Sequence, residues 1–229
     1  MKVMSFDLST SCIGVITAKI NDNTKDIIKI LSCPIIPSKF NPETLGYLKS
    51  KKKLETVKFD FLNCYAKAGE THISKAEKMR RDREVRGQKD IYVLADISRV
   101  MGNMINSIKP DLILVEKNVS RLNGQLTTVL LAKVMGTLLG ISGMLGIPVK
   151  EYAVNKARGI LDVPHLVKDF AYNHSPEELR EVPDITKRAI REFMQSIYGK
   201  YGLVMQTDDE GDGCVVLNYW YKEEFGGLC

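Results

Sequence analysis

The sequence predicts an α/β protein: a five-stranded mixed sheet with helices on both faces, interrupted by a basic insertion. Three observations carry that expectation. The chain opens with apolar runs of strand length separated by turn residues. Beyond residue 90, such runs alternate with segments of helical periodicity. Between these regions the apolar pattern thins and basic residues accumulate.

Residues 2–7 (KVMSFD) and 12–19 (CIGVITAK) read as strands joined by the polar turn Leu8-Ser9-Thr10-Ser11. Asp26 to Cys33 (DIIKILSC) supplies a third, so an antiparallel meander is expected before Pro34, Pro37 and Pro42 end the pattern. Ile91, Leu94, Ile97, Met101, Met104, Ile105 and Ile108 recur at helical spacing, with Pro110 as the stop. Asp111 to Glu116 (DLILVE) is continuously apolar up to its final acid, the pattern of a strand covered on both faces.

Gln125 to Leu145 predicts a helix apolar on almost every side and containing Gly136, Gly140 and Gly143. Such a helix needs cover from the sheet and from something else, a second subunit being one candidate. Pro148 to Tyr152 forms the fifth strand and Ala153 to Leu161 a short helix, while Pro164 to Pro183 reads as irregular. Ile185 to Tyr198 is helical with Asp184 as N-cap. After a break at 199–202, the last helix starts at Asp209 or Glu210 and ends near Phe225.

With 229 residues the chain can build one domain with a substantial core. The expectation is a single domain over 1–229 carrying insertions at about 34–89 and 162–183. A formal net charge of +5 permits nucleic-acid binding without demonstrating it. The charge is uneven: Lys49 to Lys89 holds 13 basic residues against six acidic ones, so this stretch is +7 and the rest −2. Lys49–Phe61 and Ile73–Arg86 within it could each be helical. Its bases either neutralise phosphates or form a solvated helical pair with ion pairs such as Glu77 with Arg81. Tyr47, Phe59, Phe61 and Tyr65 either pack this segment together or stack on bases.

Five cysteines at scattered spacings, with no CxxC pair, argue against a disulfide framework or zinc site. A reducing compartment is expected: the cytoplasm, or the host-cell cytoplasm for a viral protein. The N-terminus does not read as a signal peptide, since Lys2 and Asp7 interrupt it. The longest apolar run, Val134 to Val149, is about 16 residues, short of the roughly 20 that span a bilayer, so no membrane is expected as partner.

Four carboxylates carry the chemical reading. Asp7 and Glu116 end predicted strands, and Asp209 and Asp212 open the last helix, three residues apart and so on one face. Each alone has a structural explanation: a turn residue for Asp7, caps for the helix pair. Glu116 is harder to explain away, because an acid directly after Ile113-Leu114-Val115 enters a buried layer where an unpaired charge is expensive. Together the four could hold divalent metal that activates water against a phosphodiester.

The segments FDLSTSCIGV, LILVEKNVSRLNGQ, PVKEYAVNKARGIL and DDEGDGCVVL, in this order, resemble the four blocks of RuvC-type Holliday-junction resolvases. The resemblance implies an RNase H-like fold and a homodimeric, Mg²⁺-dependent endonuclease acting on branched DNA in recombination and repair. It assigns the metal-ligand and catalytic roles to Asp7, Glu116, Asp209 and Asp212, with two Mg²⁺ per active site and Mn²⁺ as an alternative. Asp7 would bridge both ions, Glu116 hold one, and Asp209 or Asp212 the other. Lys187 would orient the attacking water or steady the phosphate charge, and Arg158, Lys117 and Arg121 would contact DNA. The basic side chains Lys78, Arg80, Arg81, Arg83 and Arg86 would bind the junction arms, and the glycine-containing helix would form the dimer.

Three departures accompany the resemblance. Val119 stands where the family often has an aromatic residue, both insertions are long, and Asp208 beside Asp209 leaves the third ligand open by one position. The expected function is resolution of four-way junctions by paired two-metal phosphodiester hydrolysis. A flap, branched-DNA or hybrid nuclease of the same fold is the alternative. An ATP-binding protein of the actin and Hsp70 class would also suit DLSTSCIGV, but the chain is short for two such domains and has no second Gly-rich phosphate loop.

Overall fold

The computed structural model describes residues 1–9, 12–37, 75–117 and 125–226. The chain divides into two compact units, one of Met1–Ile36 with Ser98–Cys229 and one of Pro37–Ile97. The first unit contains the sheet. Strands β1 (Lys2–Asp7), β2 (Gly14–Ile20) and β3 (Ile27–Ser32) form an antiparallel meander. Strands β4 (Leu112–Glu116) and β5 (Val149–Tyr152) extend it in parallel, in the order β3-β2-β1-β4-β5. The expected mixed five-stranded sheet is therefore present, with β1 as the strand where the two pairing types meet.

The described helices are α1 (Lys75–Ile108), α2 (Gln125–Met144), α3 (Val154–Arg158), α4 (Val163–Asn173), α5 (Pro176–Glu181), α6 (Ile185–Tyr198) and α7 (Asp209–Phe225). None of the helices among the described residues is long and apolar enough to cross a membrane.

Strand alternation decides which residues meet. The register pairs Val3 with Leu112 and Ser5 with Leu114, and on the other side Ser5 with Ile16 and Asp7 with Gly14. Val3, Ser5, Asp7, Gly14, Ile16, Leu112, Leu114 and Glu116 therefore share one face. Helix α7 covers it. Val216, Leu217 and Trp220 join Val3, Ile16 and Leu114 in one core, to which α6 adds Ile190, Met194 and Tyr198. Burying side chains of this size contributes about 1.5–3 kcal/mol each, so apolar packing holds α7 on the sheet. Met4, Phe6, Val15, Ile113 and Val115 point to the opposite face and are equally buried. Helix α1 buries Met101 and Ile105, helix α2 buries Leu131, Val134 and Leu138, and the two helices approach at Gly102, where a Cβ would lie 3.8 Å from Ile141 Cδ1.

Two sequence expectations change. The stretch Pro164–Pro183 is not irregular, because its prolines start helices rather than break them. The Asp162 carboxylate accepts from the His165 N–H (3.3 Å) with Pro164 in the first turn of α4. Ser175 and Glu178 form a capping box around Pro176 at the start of α5. The separate helical segments expected at Ile73–Arg86 and from Ile91 belong to one 34-residue helix, α1. The segment Lys49–Phe61 and the aromatics Tyr47, Phe59, Phe61 and Tyr65 lie outside the described residues.

Candidate active site

Because Phe6 pairs with Val115 in parallel register, the next residues, Asp7 and Glu116, stand side by side at the C-terminal ends of β1 and β4. Their side chains are hydrogen-bonded to each other. In α/β sheets this end of the parallel strands is where ligand crevices form.

Helix α7 brings the other two acids. Its first turn rests on β2 at Gly14, the residue opposite Asp7. A Cβ at position 14 would lie 2.2 Å from the Asp209 carbonyl oxygen, so the close approach requires glycine there. On its other side, Gly211 meets the Arg191 backbone of α6, where a Cβ would be 3.1 Å from Cα. Wedged between β2 and α6, the first turn presents Asp209 and Asp212 to Asp7.

Lys187, near the start of α6, ties the acids together. Its Nζ lies 2.6 Å from Asp209 Oδ1, 3.6 Å from Asp212 Oδ2 and 3.8 Å from Asp7 Oδ2. The Asp184 side chain accepts from the Lys187 backbone N–H at 3.0 Å and thereby starts this helix. Arg158, ending α3, donates to Asp212 from Nε (3.0 Å to Oδ1) and from Nη2 (2.7 Å to both carboxylate oxygens). Asp7 and Asp212 are only 6% and 2% exposed, so the cluster is screened little by solvent.

The electrostatics follow from that burial. Desolvation, the hydrogen bond and charge of Glu116, and the charge of Asp212 push the Asp7 carboxyl well above the ordinary range; Lys187 opposes this more weakly. Burial works against the Lys187 ammonium, yet the Asp209 hydrogen bond and the charges of Asp7, Asp212 and Asp209 raise its pKa. Burial opposes the Arg158 cation as well, and Asp212, Glu116 and Asp7 outweigh it.

Four carboxylates thus meet two fixed cations, Lys187 and Arg158. Among the described residues, no group of three or more His, Cys, Asp or Glu side chains is arranged as a preformed metal cage. The donor set still fits a hard dication: it is all carboxylate oxygen, partly buried and short of positive charge. Asp7, Glu116, Asp209 and Asp212 are the residues that could hold one.

Between neighbouring acids the structure discriminates. Asp208 is turned to α6, where Arg188 Nε reaches it at 2.7 Å and Arg191 Nη1 at 3.3 Å, while Asp209 faces Lys187. Asp209 is therefore the member of the cluster. Arg158, expected as a DNA contact, is bound to Asp212 within the acidic cluster. Lys117 is exposed, next to Glu116, with its N–H donating to the Tyr152 carbonyl at 2.7 Å. Arg121 and Val119 lie outside the described residues; Lys78, Arg80, Arg81, Arg83 and Arg86 lie on α1, but their side chains are outside them too.

Sequence reasoning does not single out Gly14 or Glu210 as site residues. Gly14 carries one signal, a glycine opening a strand directly before the β-branched run Val15-Ile16-Thr17. Glu210 carries none, since an acid among acids has no periodicity.

No family model matches this chain, and no curated protein matches it. Solved structures do. It is similar to a Thermus thermophilus RuvC in complex with Holliday junction substrate: TM-score 0.52, 10% identity, covering 99% of this chain and 97% of that one. A second Thermus thermophilus RuvC structure aligns with TM-score 0.50 and 13% identity over the same shares of both chains. At such identities the likeness establishes the fold, and this chain has the RNase H-like fold of RuvC.

Proposed function

We propose that this protein is a divalent-metal-dependent endonuclease of branched DNA that resolves four-way junctions by paired phosphodiester hydrolysis. One observation carries the reading. Asp7, Glu116, Asp209 and Asp212, from three distant parts of the chain, converge at the C-terminal ends of two parallel strands, around Lys187 and Arg158. A buried acidic cluster of this kind has little structural use, because like charges brought together destabilise a fold. The fold shared with a RuvC seen bound to junction DNA supports the choice of substrate.

Mg²⁺, or Mn²⁺ in its place, would supply an activated water and charge neutralisation at the phosphate. Asp7, Glu116, Asp209 and Asp212 would hold two such ions. Lys187 stands within reach of three of the acids and would neutralise charge developing on the phosphate once cations take over those carboxylates. Arg158 holds the Asp212 carboxylate in place until then, through Nη2 to both of its oxygens. The exposed Lys117 and the basic residues of 49–89 would contact backbone phosphates. Paired cutting calls for a two-fold dimer, with α2 as its contact element. The free thiols of Cys12 and Cys33 suit a reducing intracellular compartment.

The test is cleavage of four-way, flap, hybrid and linear duplex substrates with and without Mg²⁺. The four-way junction is expected to be cut fastest, and only with metal. Asp7→Asn, Glu116→Gln and Asp212→Asn are expected to bind the junction and lose cleavage by at least about a thousandfold. Purified variants that still cut would refute the assignment, and preference for flaps or hybrids would redirect it to a sister activity of the fold.

A further inference from the structure

Glu210 is a fully buried acid that the proposed chemistry does not use. It sits in the first turn of α7, between Asp209 and Asp212, yet its carboxylate turns away from them. Oε2 accepts from the Gln206 N–H (2.8 Å), the Thr207 N–H (2.5 Å) and the Thr207 hydroxyl (2.9 Å). Oε1 accepts from the Ser32 hydroxyl at the end of β3. Asp208, at the N-cap of α7, makes no side-chain cap hydrogen bond to the helix and pairs with Arg188 and Arg191 of α6 instead, so the link from this turn to β3 falls to Glu210. The segment before the turn is restrained from α6 as well, where Gln195 accepts from the Met205 N–H at 2.9 Å.

We infer that Glu210 is a positioning residue for the metal-binding acids, hooking the first turn of α7 onto β3 and the 206–207 backbone. This rests on the endonuclease reading for its consequence and on hydrogen-bond geometry for its premise. The helix start has contact with β2 at Gly14 and with α6 at Gly211, but both are repulsive limits that stop the turn from coming closer. Glu210 supplies the attraction toward β3, complementing the ion pairs that Asp208 and Asp209 make with α6. Since Asp209 and Asp212 flank it in the same turn, any slippage of that turn moves both carboxylates relative to Asp7. Displacements of about 1 Å at a catalytic constellation cost roughly a hundredfold in rate, and groups that orient metal ligands are worth roughly 10–100-fold in metal affinity.

The experiment compares the parent with Glu210→Gln, Glu210→Ala and Ser32→Ala, using Asp212→Asn as reference. Mn²⁺ binding is read by calorimetry, junction Kd in the absence of metal, and kcat for junction cleavage. Glu210→Gln keeps an oxygen for the Gln206 and Thr207 donors and an amide N–H for the Ser32 oxygen, so it should stay within about threefold of the parent. Glu210→Ala should weaken Mn²⁺ binding and kcat by roughly 10–100-fold with junction Kd unchanged. Ser32→Ala, at a half-buried position, should fall between them, and it carries the test if Glu210→Ala does not fold. Parent-like Mn²⁺ affinity in both Glu210→Ala and Ser32→Ala overturns the inference. Glu210→Gln as damaging as Asp212→Asn also overturns it, making Glu210 a ligand itself. A parent that binds Mn²⁺ in a Glu210-dependent way but cuts no DNA sinks the endonuclease reading and leaves the positioning role standing; a parent that binds no Mn²⁺ sinks both.

Discussion

Asp7 carries a charge problem that its neighbours solve only in part. It is buried, shares a hydrogen bond with Glu116 and feels Asp212, and these effects outweigh the attraction of Lys187. The folded chain therefore holds a proton at this site more tightly than the unfolded chain, whose carboxyl titrates at about 4. The sign of the linkage follows. The proton-dependent stabilisation is fully present below the unfolded pKa and is lost as pH rises through the raised folded value. Without metal, the protein should lose melting temperature as pH increases above about 4, and saturating Mn²⁺ should remove that loss by replacing the proton. Asp7→Asn, which has no proton to lose, should show a flatter profile than the parent and a higher melting temperature at neutral pH in chelator. Thermal melts of both proteins from pH 4 to 8, with chelator and with Mn²⁺, decide this; parallel slopes for parent and variant would refute it.

At the scale of elements, the seating of α7 on the sheet sets the distance between the two halves of the site. Gly14 is the contact that tolerates no change, since its Cβ would collide with the backbone of Asp209 and Glu210. Gly14→Ala should cost about 1–3 kcal/mol, as overpacked positions do, and should raise the Mn²⁺ concentration needed for half-maximal binding. Gly213 is the control. Its Cβ would find neighbours at 3.4–3.7 Å, ordinary contact, so Gly213→Ala in this helix should be neutral or slightly stabilising. Urea unfolding of the two variants separates these outcomes, and equal stability would show that the β2–α7 approach is not tight.

These elements also show what the sequence discloses and what it withholds. Strands β1 and β4 are legible because both faces of each are buried, which writes itself as an apolar run ending in an acid, broken only by Ser5 in β1 and unbroken in β4. Helices α6 and α7 are legible from Asp184 and from the paired acids of the first turn. Helices α4 and α5 escape a reading that takes Pro164, Pro176 and Pro183 as breakers, although Asp162 and the Ser175–Glu178 box announce helix starts. The four acids can be named from strand ends and helix spacing. The capture of Arg158 by Asp212 and the turning of Asp208 toward Arg188 cannot, because they depend on side-chain directions fixed by packing.

For the molecule as a whole, the proposed two-fold assembly rests on α2. At about 100° per residue, Leu131, Val134, Leu138 and Ser142 form one buried stripe. Val129, Gly136, Gly140 and Gly143 form the opposite stripe, where Val129 is 52% exposed and Cβ atoms at the glycines would meet nothing within 4 Å. Nothing among the described residues of this chain uses those glycines, although each costs a helix interior about 1 kcal/mol against alanine. A second copy packing its own α2 against them would explain the stripe, since small residues let two helix backbones approach. Gly140→Ala distinguishes the two situations by sign. If the stripe faces water, the variant should melt higher than the parent by up to about 1 kcal/mol, and both should sediment as monomers. If the stripe is the dimer contact, the parent should sediment as a dimer with a concentration-dependent melting temperature. The variant should then shift toward monomer and lose the coordination of its two cuts, while retaining Mn²⁺ binding at the distant acidic cluster. Sedimentation velocity at two concentrations, beside thermal melts, reads both; a monomeric parent stabilised by the substitution would end the α2 dimer.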